Sequence, residues 1–346
     1  MIRTWCAAIL LMVIGSTSLQ AAEPVADGHP TRLIFDTDLG NDIDDALALA
    51  LIHALQSRGE CQLLAVTINK DNQYAAPFCD IVNTFYGRGD IPIGMVRNGK
   101  TPKDSPYLSG TVLARDNGQP RYPHTLTDGR TAPDAVALLR QTLSQQPDQS
   151  VTIVAVGFCT NLARLLDSPA DNYSSLTGSE LVARKCRLLS MMSGMFSAEK
   201  RVKEYNVYID VESARKVYAD WPAPIVASGY EVGQAIKYPA VSIERDFRYV
   251  EHHPVSEAYK LYQKMPYDRQ TWDLTSVLYA VRPDRGYFGL SQPGTVTVDD
   301  QQVTQFAPSD KGRQRYLTVT PEQIATVREA FVELVSQPPC AAATSR

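Results

Sequence analysis

Residues 33–45 are Leu-Ile-Phe-Asp-Thr-Asp-Leu-Gly-Asn-Asp-Ile-Asp-Asp, the most informative segment of the chain. The apolar run that ends at Phe35 is typical of a buried strand, and residues 46–55 have the period of a helix. Gly40 lies between the two, where the chain needs a tight turn. The stretch therefore predicts a strand, a turn, and a helix whose N-terminus carries the last two aspartates.

Five of the ten residues from 36 to 45 are aspartates, namely Asp36, Asp38, Asp42, Asp44 and Asp45. Carboxylates crowded at one strand end raise each other's pKa values unless a cation neutralises them. Hard divalent cations prefer oxygen ligands of this kind, so the cluster predicts a metal site. The alternative is that Asp44 or Asp45 merely caps the helix while the others are solvated, which accounts for one or two acids but hardly for five.

Strand-like apolar runs alternate with helical segments along the chain. The predicted strands are 33–35, 63–68, 91–94, 151–156, 187–192 and 225–228. The predicted helices are 46–56, 76–86, 132–145, 161–166, 211–218, 272–281 and 320–336. This order predicts a single α/β domain with a mainly parallel, open, Rossmann-like sheet and helices on both faces. Residues 98–130, rich in Pro, Gly, Asp and Ser, are expected to form a long surface loop.

The first 22 residues have the pattern of a secretory signal peptide. Arg3 supplies the charged start, residues 7–14 form an apolar stretch, and small residues surround Ala21 and Ala22. The apolar stretch is too short to span a membrane as a stable helix. We therefore expect cleavage near Ala21 or Ala22, a periplasmic or secreted protein, and one domain over residues 23–346.

The charge and the lengths of the apolar segments argue against nucleic acid and membrane as partners, and the cysteine spacing argues against a cysteine metal site. The formal net charge is −4, which becomes −5 without Arg3, and its distribution does not suggest nucleic-acid binding. No later segment has transmembrane length, so we expect no membrane partner. Five cysteines remain after cleavage, without metal-like spacing. Cys61 and Cys159 are expected to be buried, and a disulfide is permitted but cannot be assigned.

Several polar groups follow predicted strands directly. They are the acidic cluster, Asn69, Asn72, the turn at residues 157–161, and the Ser193-Gly194 pair. Ligands of open α/β sheets bind beyond the carboxyl ends of the strands, so these groups are candidates for one pocket. The chain contains neither a glycine-rich phosphate loop nor a Gly-x-Ser-x-Gly nucleophile elbow.

Five segments in order carry a resemblance to a known family. They are 36–46 (Asp-Thr-Asp-Leu-Gly-Asn-Asp-Ile-Asp-Asp-Ala), 65–72 (Ala-Val-Thr-Ile-Asn-Lys-Asp-Asn), 154–163 (Val-Ala-Val-Gly-Phe-Cys-Thr-Asn-Leu-Ala), 204–210 (Glu-Tyr-Asn-Val-Tyr-Ile-Asp) and Trp272-Asp273. Together they resemble the nucleoside hydrolases of the inosine–uridine-preferring N-ribohydrolase type, from about residue 33 to 283. The first segment departs from the family pattern by two additional residues and by Leu39 in place of proline.

The resemblance implies a metal-dependent hydrolysis. A Ca²⁺ ion would be held by Asp38, Asp45 and Asp273 and by the backbone carbonyl of Val156. Asp44 would be the general base that takes a proton from water during attack at the anomeric carbon. The expected transition state is oxocarbenium-like, so anionic surroundings stabilise it.

The resemblance also implies a sugar-binding group. Asn72, Glu204 and Asn206 would bind ribose hydroxyls, and Asp36 belongs with them as a support for the loop rather than as a metal ligand. Plainer alternatives stand beside these roles. Asn72 could hold a turn, Glu204 and Asn206 could form the exposed face of a strand, and Asp273 could be a helix N-cap.

Trp272 is the first departure that bears on the substrate. Pyrimidine-tolerant members carry a histidine directly before the last metal aspartate, and tryptophan cannot donate a proton as an imidazolium does. Trp272 can stack on a purine and favour its protonated form, so it is assigned to the catalytic group with a preference for purine nucleosides. The alternative is a core or interface aromatic. His252 and His253 could move toward the leaving base in place of that histidine, but we expect them to be a pair of surface histidines.

The second departure concerns the 5′ side of the sugar and Asp42. Typical members have a further asparagine before the Glu-x-Asn motif, but none lies between Gly194 and Glu204. Residues 199–203 are also unusually charged. The 5′ side of the pocket is therefore expected to differ. Asn41 and Asp42 are the inserted pair, which could add a ligand or reshape the metal loop, and Asp42 has no place in the family pattern.

These observations support one function over three others. The first is an exported, Ca²⁺-dependent hydrolase of small-molecule nucleosides, for which a homodimer or homotetramer is admissible. A hydrolase of a related riboside with an altered 5′ side is the second. A non-catalytic periplasmic nucleoside- or ribose-binding protein would have no use for the base Asp44. A phosphatase with an Asp-x-Asp nucleophile fits poorly with Leu39-Gly40.

Overall fold

The structure, a computed structural model, describes residues 29–197 and 201–340. The predicted signal peptide lies outside the described residues, so its cleavage and the domain boundary at residue 23 stay predictions. Within the described ranges, no helix is long and apolar enough to cross a bilayer.

Fourteen strands occur in the described part of the chain. In chain order they are β1 (Thr31–Thr37), β2 (Cys61–Lys70), β3 (Ile93–Lys100), β4 (Arg115–Asp116), β5 (Gln119–Pro120), β6 (Val151–Ala155), β7 (Cys186–Met192), β8 (Ile225–Ser228), β9 (Lys237–Tyr238), β10 (Arg269–Gln270), β11 (Gly289–Leu290), β12 (Gly294–Val298), β13 (Thr304–Pro308) and β14 (Gln314–Thr318). The six predicted strands are confirmed as β1, β2, β3, β6, β7 and β8.

The helices of the described residues follow the predicted alternation. They are α1 (Asp44–Ser57), α2 (Ala75–Phe85), α3 (Pro106–Val112), α4 (Ala135–Ser144), α5 (Thr160–Asp167), α6 (Gly178–Lys185), α7 (Tyr205–Ile209), α8 (Val211–Asp220), α9 (Tyr230–Ala235), α10 (Ala240–Arg245), α11 (Pro254–Tyr262), α12 (Trp272–Val281) and α13 (Pro321–Val335). The seven predicted helices correspond to α1, α2, α4, α5, α8, α12 and α13.

The central sheet has the order β13-β12-β14-β8-β7-β6-β1-β2-β3, with β11 beside β14. Every pair from β14 through β8, β7, β6, β1 and β2 to β3 is parallel, whereas β12 and β13 are antiparallel. The predicted α/β fold with a mainly parallel sheet is therefore confirmed, with an antiparallel edge that the sequence did not predict.

Strand β1 lies in the middle of the sheet and is buried on both faces. Leu33 and Phe35 pack into one hydrophobic cluster and Ile34 into a second, because successive side chains of a strand point to opposite faces. Helix α1 is buried from Asp44 to Leu55, so it is enclosed by other elements and has no solvated stripe. Its N-terminus is thereby fixed directly beyond the end of β1.

Two local expectations are wrong, and one alternative is excluded. Residues 98–130 contain α3 and the β4–β5 hairpin rather than a plain loop. The Glu204-x-Asn206 motif is not a strand, because Glu204 caps α7 through the backbone N–H groups of Asn206 and Val207. His253 is buried and caps α11, so the surface histidine pair is not formed. By contrast, Cys61 and Cys159 are buried as expected, and the described cysteines are all free.

Gly157, two residues beyond the end of β6, allows the ends of β1 and β6 to approach closely. A Cβ atom there would lie 2.5 Å from the backbone nitrogen of Asp38 and 2.5 Å from Oδ1 of Asn69. We expect Gly157→Ala to lower the free energy of unfolding by roughly 1–3 kcal/mol, because backbone must shift to admit the methyl group. Thermal or urea unfolding measures this change.

Gly110→Ala is the matched control. Its added methyl would meet only the side chain of Leu261, 3.0 Å away and 45% exposed. We expect no loss of stability and a gain of up to about 1 kcal/mol, because Gly110 lies inside α3 and alanine is the better helix former. Equal losses in the two variants would contradict a specific close approach at Gly157.

Candidate functional site

A pocket of about 450 Å³ opens beyond the carboxyl ends of the parallel strands. Eight of the ten residues assigned to the site from sequence line it: Asp38, Asp44, Asp45, Val156, Glu204, Asn206, Trp272 and Asp273. Asp36 and Asn72 are not among the lining residues. The fold thus brings together residues from four separate regions of the chain.

Three carboxylates form the centre of the pocket. Asp44 and Asp45 lie in the first turn of α1, and Asp273 lies in the first turn of α12. One oxygen from each lies within 4.8 Å of the others. The backbone N–H of Asp273 donates to Oδ2 of Asp44 at 3.1 Å and thereby joins the two helix N-termini. The sequence assigned Asp44 to the base and not to the metal, so the geometric cluster and the implied ligand set share Asp45 and Asp273.

Burial makes this cluster electrostatically costly. It raises the pKa values of Asp44, Asp45 and Asp273 well above the usual range, and the neighbouring carboxylates raise them further. The pKa of Asp38 is raised to about 6, also chiefly by burial. A cation among these groups would remove most of that cost.

Asp45 provides the clearest sign that a cation fits. Its Oδ1 accepts a hydrogen bond from Thr37, whereas its Oδ2 is buried and has no hydrogen-bond partner among the described residues. Buried carboxylate oxygens are nearly always satisfied, and a hard divalent ion would satisfy this one.

Asp38 is held at the edge of the cluster by a chain of polar contacts. Asn41 donates to Oδ2 of Asp38 at 2.7 Å, and the ammonium of Lys70 donates to Oδ1 of Asn41 at 2.8 Å. Lys70 itself is buried, and burial lowers its pKa. The inserted residue Asn41 thus links a buried lysine to the acidic loop.

Glu204 and Asn206 form the opposite wall. Burial raises the pKa of Glu204 to about 7, and its carboxylate accepts backbone N–H groups of Gly194 at 3.0 Å and Asn206 at 2.9 Å. The Asn206 amide donates to the carbonyl of Val156 at 2.9 Å. These bonds fix the loop after β7, the start of α7, and the carbonyl that the sequence assigned to the metal.

Asp36 and Asn72 are the two assigned residues that do not line the pocket, and for Asp36 this agrees with its expected role as a support. Asp36 is fully buried and accepts hydrogen bonds from Thr67, Asn69 and Asn161, so it ties β1 to β2 and α5 behind the pocket. The Asn72 side chain accepts from the N–H of Tyr74 and donates to the carbonyl of Pro102. Both polar ends of Asn72 are engaged with backbone, which corresponds to the alternative of a turn-holding residue.

Tyrosine rings and one arginine complete the pocket beside Trp272, and the sequence predicted neither these tyrosines nor the arginine. Tyr230, Tyr262 and Trp272 line it together with Arg269. Trp272 stacks on Tyr230 with ring centroids 5.4 Å apart, and its indole N–H donates to the carbonyl of Tyr230 at 2.9 Å. Arg269 forms an ion pair with Asp42. The unassigned carboxylate of Asp42 was a signal for a cationic partner, but the sequence offers 34 lysines and arginines.

Comparisons with known proteins concern the family and the fold. Residues 33–330 match the family model of the inosine-uridine preferring nucleoside hydrolases. A curated relative, the pyrimidine-specific ribonucleoside hydrolase RihA of Citrobacter koseri, is 30% identical over 234 residues. That match covers 62% of this chain, and this chain spans 64% of the relative's length.

Two solved structures share the fold. A plant nucleoside hydrolase, the PpNRh1 enzyme, superposes with a TM-score of 0.64 at 21% identity and covers 90% of this chain and 100% of its own. The inosine-uridine preferring nucleoside hydrolase of Bacillus anthracis has a TM-score of 0.62 at 17% identity, with coverage of 88% and 99% respectively. At these identities the likeness concerns the fold.

The carboxylate cluster predicts a cation-dependent stability. Adding Ca²⁺ to protein stripped with a chelator is expected to raise Tm, with a gain of about 2.7 kcal/mol at a hundredfold excess over Kd. Asp45→Asn is expected to raise the Tm of the stripped protein, because it removes a buried charge from a repulsive cluster. The same variant is expected to lose the Ca²⁺-induced rise, and differential scanning calorimetry measures both effects.

Asp90→Asn serves as the control, because Asp90 is exposed. It should keep the wild-type response to Ca²⁺. A Ca²⁺-induced rise of normal size in Asp45→Asn would show that the cluster does not bind the ion.

Proposed function

This chain belongs to the nucleoside hydrolase family, as its motifs indicated, and on that premise we propose that it hydrolyses the N-glycosidic bond of ribonucleosides to free base and ribose. The observation that carries the proposal is one pocket that joins the carboxylates of Asp44, Asp45 and Asp273 to Glu204 and Asn206. The three aspartates can activate water and stabilise positive charge on the sugar. Glu204 and Asn206 can orient the sugar hydroxyls.

We propose Ca²⁺ as the cofactor. Asp38, Asp45 and Asp273 would hold it, and the unpartnered Oδ2 of Asp45 supports this assignment. The carbonyl of Val156 accepts one hydrogen bond from Asn206 and retains a lone pair for a further contact. When bound, the ion would act as a Lewis acid that lowers the pKa of water and orients hydroxyl groups.

Asp44 is the proposed general base. Its carboxylate is fixed by the N–H of Asp273, and burial raises its pKa, which makes it a stronger proton acceptor once ionised. It would take the proton of water as the oxygen attacks the anomeric carbon. The surrounding carboxylates favour the positive charge that develops on the sugar in the transition state.

Purine ribonucleosides are the proposed preferred class. The rings of Tyr230, Tyr262 and Trp272 give the pocket an extensive aromatic surface that suits a bicyclic base. The guanidinium of Arg269 lies 5.2 Å from the Trp272 ring centroid, so that ring already interacts with a cation. Trp272 is therefore proposed as a stacking surface and no longer as a group that promotes base protonation. The Citrobacter koseri relative is named pyrimidine-specific, so base class needs a direct measurement.

Base release is the deciding measurement. We expect free base from inosine, adenosine and guanosine at higher kcat/KM than from uridine and cytidine, with loss of turnover in a chelator. Faster pyrimidine hydrolysis would contradict the purine preference, and no turnover of any of the five nucleosides would overturn the proposed activity.

Asp44→Asn tests the base. Since general-base catalysis contributes about 10²–10⁴-fold, we expect kcat to fall by at least that range while the nucleoside still binds. Isothermal titration calorimetry measures binding, and base release measures kcat. The surface substitution Asp90→Asn should leave both unchanged, and an intact rate in Asp44→Asn would refute the assignment.

We further propose export to the periplasm or beyond, supported by the signal-like residues 1–22. Expression of the full chain should yield mature protein that begins near Glu23, and intact-mass spectrometry of fractionated cells measures its N-terminus. A cytoplasmic protein that retains Arg3 would contradict export.

A further inference from the structure

Arg269 lines the pocket, but it has no role in the proposed metal site or in the proposed sugar contacts. It lies on β10, three residues before Trp272, and its side chain is 18% exposed. Its Nε donates to Oδ1 of Asp42 at 2.8 Å, and its Nη2 donates to Oδ2 of the same carboxylate. This two-pronged contact fixes the plane of the guanidinium.

Two rings fix the guanidinium further. Its central carbon lies 5.2 Å from the ring centroid of Tyr262 and 5.2 Å from that of Trp272. Both distances are within the range of cation–π attraction. Arg269 is thus held in the pocket wall beside the aromatic surface, at the N-terminal end of the helix that carries Asp273.

One edge of the guanidinium is left for a ligand. Among the described residues, Nη1 of Arg269 has no hydrogen-bond partner, whereas Nε and Nη2 are both bound to Asp42. Asp42 therefore orients the arginine without using all of its donors. An acceptor atom on a bound molecule is the natural complement of the free N–H groups.

The chemistry of this group differs from that of an acid catalyst. Asp42 raises the pKa of Arg269 above its already high value, although burial opposes this, so the guanidinium keeps its protons. It can stabilise an anion but cannot protonate one. A protonated base beside it would experience repulsion.

We propose that Arg269 stabilises the negative charge that develops on the departing base, so that the base leaves as an anion. This proposal rests on the proposed hydrolase function and adds a catalytic contact to it. The ligand it recognises is a heterocycle with a ring nitrogen or carbonyl oxygen as acceptor.

The step balances without another reactant. The bond between the anomeric carbon and the base nitrogen breaks, and its electron pair stays on the base. The oxygen of water bonds to the anomeric carbon, and Asp44 receives one proton. The base anion takes up a proton from solvent after release and Asp44 returns its proton to solvent, so riboside and water give ribose and neutral base.

The test compares two leaving groups on the same sugar. Inosine releases a poorly stable base anion, whereas para-nitrophenyl riboside releases nitrophenolate, which is a stable anion. For Arg269→Met, kcat on inosine is expected to fall by about 10²–10³-fold, the usual effect of removing a donor at a developing anion. On para-nitrophenyl riboside the same variant should lose only a few-fold in kcat.

Three further variants keep the result interpretable. Asp42→Asn/Arg269→Met removes both charges and should show the same selective loss, free of an unpaired Asp42. Arg269→Lys keeps a cation and should recover part of the inosine rate. Arg58→Met removes a surface guanidinium paired with Glu333 and should leave both rates unchanged.

Each outcome decides the matter. Equal losses on both substrates in Arg269→Met and in the double variant would mean that the pair only positions the loop and α12, which overturns the proposal. Unchanged inosine turnover would overturn it as well. If the wild-type protein hydrolyses inosine or para-nitrophenyl riboside but Arg269→Met shows no selective loss on inosine, the hydrolase function stands and this proposal fails. A wild-type protein inactive on both would remove the function and this proposal together.

Discussion

Repulsion among the buried carboxylates of Asp38, Asp44, Asp45 and Asp273 is the interaction on which the rest of the site depends. The turn after strand β1 and the first turns of helices α1 and α12 bring these groups together, and each is at most 5% exposed. Three features of the described residues bear on how this repulsion is offset. They are the unpartnered oxygen of Asp45, which suits a cation, the Lys70–Asn41–Asp38 chain, and the Arg269–Asp42 pair. The two residues Asn41 and Asp42, inserted relative to the family pattern, take part in the last two.

Much of the fold could be predicted because hydrophobic periodicity reports burial directly. Residues 33–35 were predicted as a buried strand because all three are apolar, and α1 follows from its apolar run. The antiparallel edge formed by β12 and β13 could not be predicted in the same way. Only β12 alternates between buried and exposed residues, whereas β13 has a single buried residue, so these two five-residue segments carry too little hydrophobic pattern to identify a sheet edge.

The candidate site was predictable where one short segment supplies several ligands, and less so where partners are distant. The aspartates from 36 to 45 are recognisable because five acidic residues lie within ten positions. The pairing of Asp42 with Arg269 joins residues 227 positions apart, and nothing in the local sequence of either selects the other. Asn72 is a residue that the sequence assigned to the pocket and that the structure places outside it. Its place after a strand suggested the pocket, but its amide satisfies backbone groups of Tyr74 and Pro102, a competition that only tertiary structure decides.

The hydrogen bond from the backbone of Asp273 to Asp44 joins residues 229 positions apart. The acidic segment is made early in synthesis, whereas its counterpart on α12 appears only after most of the sheet. A contact of such long range forms late, because its loop-closure entropy must be offset by the intervening structure. An ion that requires both ends therefore has no complete set of ligands in a partly folded chain, so its binding free energy is available only to the finished fold. If the carboxylates bind the proposed ion, its binding is thereby coupled to the completion of folding.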